Sequence, residues 1–340
     1  MATTRPRVMQ SFRRPRPTTN PYIVQLDRAL DACHEIEHLQ FSWRRALTTR
    51  LDVLHLHWPE TLIGGSAAWK RLVRRMLLRA LLVKCRLSGT AIVRTAHNVE
   101  IPGDASSAER RLLRRIEERA DFRILLNPDT VRPWHSASAV IPHGHYADWF
   151  AAVPRVDPDP DELGFVGLVR RYKGVEQLID AFGQTAETAP LLRLRISGNP
   201  TSESLGAEVR ARAAQDPRVT LDLRYLSEPD FATAVMHSSG IVLPYRFMHN
   251  SGSVLAALSL NRPVLVPRNN VNEALAHEVG PGWVHMFDGE LGAADLVAFS
   301  RAAAGVHGAP DLSARGWERT GAEHVAAYRA AIAERRSSAG

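Results

Sequence analysis

Three cationic side chains occupy one short turn near the middle of the chain. Arg170, Arg171 and Lys173 follow the apolar run 163–169, and Gly174 then opens a pattern typical of an amphipathic helix. A helix N-terminus offers free backbone N–H groups and the positive end of the helix dipole, and nearby cations complete the neutralisation of an anion. The turn therefore predicts a phosphate-binding site.

The segment 249–267 carries a second candidate for phosphate contact. Ser251, Gly252 and Ser253 precede an apolar helical pattern and then a short apolar run. Small residues with free N–H groups at a helix start can approach a phosphate closely. An ordinary serine N-cap before a core helix explains the same residues. Because the cationic turn lies in the equivalent place one unit earlier, we favour the phosphate site.

Polar side chains also follow predicted strands of the first half. His57 and Glu60 lie in LHLHWPE, His97 and Glu100 in TAHNVE, and His143 in IPHGHY. A histidine or a carboxylate within hydrogen-bond reach of a hydroxyl can remove its proton, so these are candidate general bases. The alternative, in which the histidines are buried strand-end residues and the glutamate caps a helix, stays open.

The loop PRPTTNP, after the first predicted strand, offers hydroxyl and amide groups. Thr18, Thr19 and Asn20 suit contact with a sugar or a phosphate. A turn followed by a helix cap explains the same residues, since Asn20 precedes a proline that suits the first position of a helix.

Short apolar runs alternate with helical patterns along the whole chain. This alternation predicts an α/β protein with parallel sheets, here two Rossmann-like doubly wound domains facing a central cleft. The Pro- and Asp-rich stretch PRVDPDPDEL is the best linker, which gives domains over 1–155 and 156–311. A final helical stretch, 312–340, is expected to pack back toward the first domain.

Composition limits the class of protein. A chain of 340 residues that is 45% hydrophobic and 23% charged can form two ordinary domains. Cys33 and Cys85 lack metal-ligand spacing and exclude a disulfide framework. There is no apolar run of membrane-spanning length and no apolar signal core at the N-terminus, so we expect a cytoplasmic protein.

Charge is unevenly distributed. Residues 1–155 hold 25 Lys and Arg against 14 Asp and Glu, whereas the remainder holds 18 against 22. This asymmetry suggests that the first domain meets a polyanionic surface. No nucleic-acid motif accompanies the charge, and aromatics are not interleaved with it, so we expect no nucleic-acid partner.

The predicted helix 69–87, WKRLVRRMLLRALLVKCRL, contains seven cations and no acid. Leu72, Met76 and Val83 mark the face opposite the arginines. Basic amphipathic helices bind anionic membrane surfaces. We expect a helix that covers the sheet and also touches the inner face of the plasma membrane.

The chain resembles a known family along nearly its whole length. The segment GFVGLVRRYKGVEQLIDAF, the turn RISGNP and the stretch ending in NRPVLVP are similar to the donor-binding domain of GT-B glycosyltransferases. Within that superfamily, RRYKG together with HWPE and HNVEIPG resembles bacterial glycosyltransferases of exopolysaccharide and glycolipid assembly, some of them mannosyltransferases.

The resemblance implies transfer of a hexose from a nucleotide diphosphate sugar, with GDP-mannose the first candidate, to a glycan or a lipid-linked saccharide. Arg170 and Lys173 would bind the donor diphosphate and stabilise the leaving group. The remaining donor contacts would be Gly198, Asn199, Asn250, Ser251, Gly252 and Ser253. The acceptor contacts would be Thr18, Thr19, Asn20, His57, Glu100 and His143.

The resemblance also bears on mechanism. Common retaining members carry two glutamates that here align with Met248 and Ala256. Their replacement favours an inverting reaction, with Glu60 or His97 as the base. No metal or other cofactor is expected, because the cations replace a metal at the diphosphate. The alternatives are a catalytically inactive binder of sugar nucleotides or polyanions, and a sugar-nucleotide epimerase of the same fold.

Overall fold

The computed structural model describes residues 5–16, 19–65, 67–97, 106–130, 134–246 and 248–337. It divides into two compact units. The first comprises Met1–Gly144 together with Arg315–Gly340, and the second comprises His145–Ala314. The chain therefore leaves the first unit once and returns to it with its last helix.

The first unit contains a six-stranded parallel sheet in the order β2-β1-β3-β4-β5-β6. Its strands are short and mostly buried, as expected for a parallel sheet covered on both faces. The strands are β1 (Arg7–Gln10), β2 (Glu37–Leu39), β3 (Val53–Leu56), β4 (Ala91–Ala96), β5 (Phe122–Leu125) and β6 (Ala137–Val140). The strand order reverses between β1 and β3.

Helices cover both faces of this sheet. They are α1 (Pro21–Asp31), α2 (Trp43–Thr48), α3 (Pro59–Ile63), α4 (Ala68–Ser88) and α5 (Ser107–Arg119). The C-terminal helix of the chain, α13 (Trp317–Ser337), packs against α1 and against β4, β5 and β6. Its Val325, Tyr328 and Ala331 are buried in the same cluster as Val8 and Ile124.

The second unit contains another six-stranded parallel sheet, in the order β12-β11-β10-β7-β8-β9. Its strands are β7 (Asp159–Val166), β8 (Arg193–Ser197), β9 (Val219–Asp222), β10 (Ser238–Val242), β11 (Val264–Pro267) and β12 (Val284–Phe287). The order reverses between β7 and β10, which is the position where doubly wound sheets bind their ligands.

The helices of the second unit alternate with its strands. They are α6 (Ala147–Phe150), α7 (Val175–Gly183), α8 (Glu203–Ala213), α9 (Glu228–His237), α10 (Gly252–Ser259), α11 (Asn270–Val279) and α12 (Ala293–Ala304). The prediction of two doubly wound parallel sheets is confirmed. The acidic stretch PRVDPDPDEL is not all loop, because β7 already begins at Asp159.

Candidate functional site

The cationic turn lies at the carboxyl edge of the second sheet, where the strand order reverses. After β7 the chain passes Gly167, forms a single 3-10 turn over Arg171–Lys173, and enters α7 from Gly174. Gly174 has a φ of +67° and a buried position in which a Cβ would lie 2.4 Å from the Pro244 carbonyl oxygen. Only glycine fits this entry into the helix.

Two further glycines form the floor of the site. Gly167 and Gly198 have φ values of +133° and +143°, and a Cβ at 198 would lie 2.0 Å from the Gly167 carbonyl oxygen. A Cβ at 167 would lie 3.4 Å from Lys173 Nζ and 3.8 Å from Ser253 Oγ. The cationic turn and the start of α10 therefore meet above Gly167.

Lys173 is buried, with 8% of its surface exposed, and it forms no ion pair within the described residues. Its Nζ lies 4.9 Å from the centroid of the Tyr245 ring. Burial, together with the charge of Arg170, lowers the pKa of Lys173 to about 8. A buried ammonium group without a carboxylate is costly, so this position favours an anionic ligand.

The two arginines of the turn differ. Arg171 lies 3.5 Å from Glu176 and 3.1 Å from Glu208, so its charge is already paired. Arg170 is exposed, and it forms no ion pair with any residue of the described ranges. Arg170 is thus the second cation available to a ligand.

The start of α10 combines both interpretations of the serines. The Ser251 side chain accepts a hydrogen bond from the Val254 N–H at 3.4 Å and so caps the helix. The N–H groups of Gly252 and Ser253 donate no hydrogen bond to the described part of the chain. Helix termini leave such donors for a ligand.

Two other predicted donor contacts lie close to this floor or to α10. The Asn199 side chain is exposed, and its carbonyl accepts from the Val169 N–H at 3.0 Å. Asn250 directly precedes the cap of α10 and is half-buried. The Gly198 N–H donates to the Asp222 carbonyl at 2.9 Å, which fixes the turn after β8.

Sequence reasoning missed Tyr245. Its ring packs against Lys173, and burial raises the pKa of its hydroxyl to about 12. The Ser253 hydroxyl is close enough to oppose that shift, although the two hydroxyls do not reach good hydrogen-bonding geometry. Its position just after a predicted buried strand is the sequence signal that could have identified it.

In the first unit, His57 and His97 lie at the carboxyl ends of the neighbouring strands β3 and β4. His57 Nδ1 is 3.2 Å from His97 Nε2, and the His97 ring stacks on Trp58 with centroids 3.9 Å apart. Burial, reinforced by the charge of Arg94, holds the pKa of both rings well below the usual range. Both histidines are therefore neutral and able to accept a proton only at a cost.

The other candidates of the first unit differ in burial and in hydrogen bonding. His143 packs against the Tyr22 ring at 4.5 Å, and burial lowers its pKa to about 4. Glu60 is half-buried in the first turn of α3. Asn20 caps α1 by accepting from the Tyr22 N–H at 3.0 Å, and Thr19 Oγ1 accepts from the Arg16 N–H at 2.8 Å.

Thr18 and Glu100 lie outside the described residues, as does most of the HNVEIPG segment.

One cluster of the described residues brings potential metal ligands together. Atoms of Asp27, Asp31 and His38 lie within 4.8 Å of one another. His38 Nδ1 is 2.6 Å from Asp31 Oδ1, and Gln40 Nε2 donates to Asp27 Oδ1 at 3.1 Å, so both carboxylates have a hydrogen-bond partner within the protein.

Helix α4 exposes its apolar face rather than burying it. Only Leu78, Leu81, Leu82 and Cys85 are buried. Leu72, Met76 and Val83, which a sheet-covering helix would bury, are 50%, 58% and 52% exposed. The helix does cover the sheet, as expected, but through its C-terminal half, whose Leu78, Leu81, Leu82 and Cys85 pack with Leu54 and Ile92 of the strands. No helix of the described residues is long and apolar enough to cross a membrane.

The fold and the chain both match known proteins. AviGT4, a glycosyltransferase involved in avilamycin A biosynthesis, superposes with a TM-score of 0.58 at 16% identity, over 96% of this chain and 98% of that one. The Anabaena protein HepE, solved in complex with UDP and glucose, gives 0.59 at 12% identity, over 98% of each chain. No protein-family model matches the chain.

Two curated relatives from Xanthomonas campestris pv. campestris are far more similar in sequence. Each is named GDP-mannose:glycolipid 4-beta-D-mannosyltransferase and is 43% identical over 328 residues, which cover 96% of this chain and 92% of the relative.

Two parallel doubly wound sheets and these matches define a GT-B glycosyltransferase. The chain belongs to the glycosyltransferase family that includes the GDP-mannose:glycolipid 4-beta-D-mannosyltransferases of Xanthomonas campestris. The prediction of a glycosyltransferase is confirmed.

Proposed function

We propose that this glycosyltransferase transfers mannose from GDP-mannose to a glycolipid acceptor, with inversion and without a metal. The names of its curated relatives support the donor and the acceptor. The observation that carries the chemistry is Lys173, a buried cation beside the start of α10 that has no counter-ion among the residues the structure describes.

The donor diphosphate would supply the missing negative charge. In this proposal Lys173 and Arg170 bind its oxygens, and the N–H groups of Gly252 and Ser253 donate to the same group. As the sugar–phosphate bond breaks, negative charge grows on the departing diphosphate. Cations and N–H groups held in place by the fold stabilise that charge without reorganising, which is the largest source of catalysis in many enzymes.

The same arrangement supports metal independence. Two side-chain cations provide the charge that a divalent ion would otherwise bring. Asp157 and Asp159 have the Asp-x-Asp spacing of a metal motif, but Asp159 begins β7 and pairs with Arg193. These carboxylates therefore lie at the amino end of the strand, away from the cationic turn at its carboxyl end. Turnover that is unchanged in EDTA would support this part of the proposal, and turnover abolished by EDTA would contradict it.

Inversion is supported by the product that the relatives' name specifies. GDP-mannose holds its mannose through an α bond, so a β product requires attack from the opposite side. Such attack needs a base to remove the proton of the acceptor hydroxyl. We assign this role to His97, which is neutral and follows β4 at the carboxyl edge of the sheet. Glu60 is the second candidate.

A peripheral location at an anionic membrane is supported by α4. The helix combines exposed apolar side chains with cations, including Lys70, Arg75 and Arg79. Each cation near anionic lipid contributes about 1 kcal/mol, and the apolar side chains add burial in the interface. A glycolipid acceptor would be presented at the same surface.

The decisive experiment measures transfer of radiolabelled mannose from GDP-mannose to a membrane glycolipid fraction. Lys173→Ala is expected to lower turnover by about 10² to 10³, since it removes a preorganised contact to the leaving group. Arg171→Ala is the matched control, because it removes a neighbouring cation that is already paired. Equal turnover in both variants would exclude the leaving-group role of Lys173.

The base is tested separately. His97→Gln should lower turnover by about 10² to 10⁴ while binding of GDP-mannose is preserved. Glu60→Gln discriminates between the candidates. If only the glutamate variant is impaired, the base is Glu60 and our assignment is wrong.

A further inference from the structure

A continuous chain of side-chain hydrogen bonds runs through the interior of the first unit. It connects β4, β3, β1 and α13 and contains three histidines. In order, the distances are His97 Nε2 to His57 Nδ1 3.2 Å, His57 Nε2 to Gln10 Oε1 3.0 Å, Gln10 Nε2 to Tyr328 Oη 2.9 Å, Tyr328 Oη to His55 Nδ1 2.9 Å, and His55 Nε2 to Thr95 Oγ1 2.7 Å.

The amide of Gln10 gives this chain a direction. An amide donates through nitrogen and accepts through oxygen, so Gln10 donates to Tyr328 and accepts from His57. His57 must then carry its proton on Nε2. Because a neutral imidazole has only one N–H, His57 Nδ1 is an acceptor, and His97 Nε2 must be the donor to it.

The hydrogen bonds beyond Gln10 are consistent with the same direction. The Tyr328 oxygen receives the Gln10 amide hydrogen and gives its own hydrogen to His55 Nδ1. His55 then donates from Nε2 to Thr95. Each donor meets one acceptor, and His55, His57, Gln10 and Tyr328 are all buried. If His97 Nε2 were the acceptor instead of the donor, the Gln10 amide would have to turn around, and the Tyr328 hydroxyl would have to turn with it.

We propose that Gln10 and Tyr328 are positioning residues that hold His97 as the Nε2-protonated tautomer. This leaves Nδ1 of His97 as the nitrogen that receives the acceptor proton. The inference rests on the proposed function, in which His97 is the base. Neither Gln10 nor Tyr328 belongs to the proposed catalytic or binding residues, and Tyr328 lies more than two hundred positions from His97 in the sequence.

The reaction balances through this arrangement. The acceptor oxygen forms a bond to the anomeric carbon while its proton passes to His97 Nδ1. The bond between that carbon and the phosphate oxygen breaks, and its electron pair leaves with GDP. The imidazolium that results keeps its Nε2–H on His57 Nδ1, so the neutral chain orients the base as a third residue does in other catalytic triads.

Aromatic rings and titratable groups surround His97 in the described part of the first unit. Trp58 stacks on the ring and Tyr22 meets it edge-on at 5.3 Å. The charged or titratable groups that act on its protonation are His57, Arg94, His143 and His324. Of these, Arg94 is paired with Glu117 at 2.9 Å, and the three histidines are neutral because they are buried.

The direct test is a two-bond ¹H–¹⁵N spectrum of histidine-labelled full-length protein, which distinguishes Nδ1–H from Nε2–H. The wild-type protein should show His97 protonated on Nε2. Tyr328→Phe frees the Gln10 amide to turn, so His97 should populate both tautomers. Gln10→Met, which removes the directing amide itself, should do the same if Tyr328→Phe fails to fold. Tyr146→Phe removes a buried tyrosine hydroxyl in the second unit and should leave the His97 signals unchanged.

Turnover provides the second measurement. One hydrogen bond of this kind shifts a two-state preference by about twofold to tenfold. We therefore expect kcat of Tyr328→Phe to fall about twofold to tenfold, with KM for GDP-mannose unchanged because the donor contacts lie in the second unit. A merely structural role would change the unfolding midpoint without changing the tautomer.

Two results would overturn the inference. The first is His97 protonated on Nδ1 in the wild-type protein. The second is a folded Tyr328→Phe protein whose His97 tautomer and kcat both equal those of the wild type. Full turnover in His97→Gln would instead reject the base of the proposed function, and the tautomer spectrum distinguishes that failure from a failure of the hydrogen-bond chain.

Discussion

At the scale of single residues, Lys173 and Arg171 show how burial changes the meaning of a charge. Both occupy the same three-residue turn. Arg171 is exposed and paired with two carboxylates, whereas Lys173 is buried and pairs with no carboxylate in the described part of the chain. The turn by itself gives three cations without ranking them, because nothing in RRYKG indicates which side chains turn inward or which meet carboxylates of α7 and α8. Only the family resemblance singled out Arg170 and Lys173.

The lowered pKa of Lys173 predicts a pH-dependent affinity for GDP. The pKa of about 8 means that the free protein loses this charge as the pH rises through 8. Binding should be constant below that pH and should weaken by up to about tenfold per pH unit above it. Calorimetric titration of GDP between pH 6.5 and 9.5 measures the effect.

Lys173→Arg supplies the control, since an arginine stays charged over this range. Its affinity should show no break near pH 8. A break that persists in this variant would assign the titration to another group.

Gly198 predicts a steric effect on the floor of the donor site. A Cβ at this position would lie 2.0 Å from the Gly167 carbonyl oxygen, and the φ of +143° is strained for alanine. Gly198→Ala should lower the free energy of unfolding by about 1–3 kcal/mol. It should also weaken GDP binding, because Gly167 must move from beneath Lys173 and Ser253.

The control is Gly183→Ala, at the end of α7. A Cβ there meets nothing within 4 Å, and alanine favours the helix by up to about 1 kcal/mol. Urea denaturation of the two variants should therefore give changes of opposite sign. Two changes of the same sign and size would show that the close contact at Gly198 has no energetic consequence.

At the scale of elements, sequence periodicity predicts faces but not what covers them. The pattern of α4 correctly gives a helix with Leu72, Met76 and Val83 on one face. The structure exposes that face, because α4 meets the core through Leu78, Leu81 and Cys85. The helix starts at Pro21, Ser107 and Gly252 were predictable from local caps, whereas α11, β12 and α12 lacked a clear pattern.

The exposed face of α4 predicts a measurable contribution to membrane binding. The triple variant Leu72→Ser, Met76→Ser and Val83→Ser removes partly exposed apolar side chains from a helix that keeps all its cations. Partition into vesicles of phosphatidylglycerol and phosphatidylethanolamine should weaken by about tenfold or more, as expected for loss of roughly 2 kcal/mol of apolar burial. Flotation of wild type and variant measures it.

The matched control replaces apolar residues that are exposed in the second unit, Leu191 and Tyr225, with serine. Vesicle partition should be unaffected by that change. A triple variant that partitions as the wild type does would exclude insertion of α4 and leave at most an electrostatic contact.

At the scale of the whole molecule, the first unit encloses histidines that stay neutral. Burial holds the pKa of His55, His57 and His97 well below the ordinary value of 6.5, and lowers those of His143 and His324 to about 4. Below pH 6.5 the unfolded chain binds protons that the folded chain does not. The free energy of unfolding therefore falls as the pH is lowered.

Each such histidine contributes a slope of about 1.4 kcal/mol per pH unit between the unfolded and folded pKa values. Denaturation at pH 7.5 and pH 5.0 should show a large loss of stability in acid. His324→Gln should reduce that loss by the share of one histidine, whereas the exposed His307→Gln should not change it. A loss that is equal in all three proteins would place the acid sensitivity elsewhere.

The whole-molecule scale is also where prediction from the sequence stopped. Alternating strands and helices predict both sheets and the carboxyl edges where His57, His97 and Lys173 lie. They give no sign that Gln10 and Tyr328 share a hydrogen bond across 318 positions, because such a contact leaves no periodic trace. Tyr328 lies in the final helical stretch 312–340, which was predicted only to pack back toward the first domain.

The return of α13 to the first unit has a consequence for biosynthesis. Gln10, His55 and the groups around them leave the ribosome early, yet the tyrosine that completes their polar interior is made near the end of translation. Until then the groove that α13 will fill, lined by apolar side chains and imidazoles, stays open in the nascent first unit. The first unit therefore cannot complete its core until the whole second unit has been synthesised.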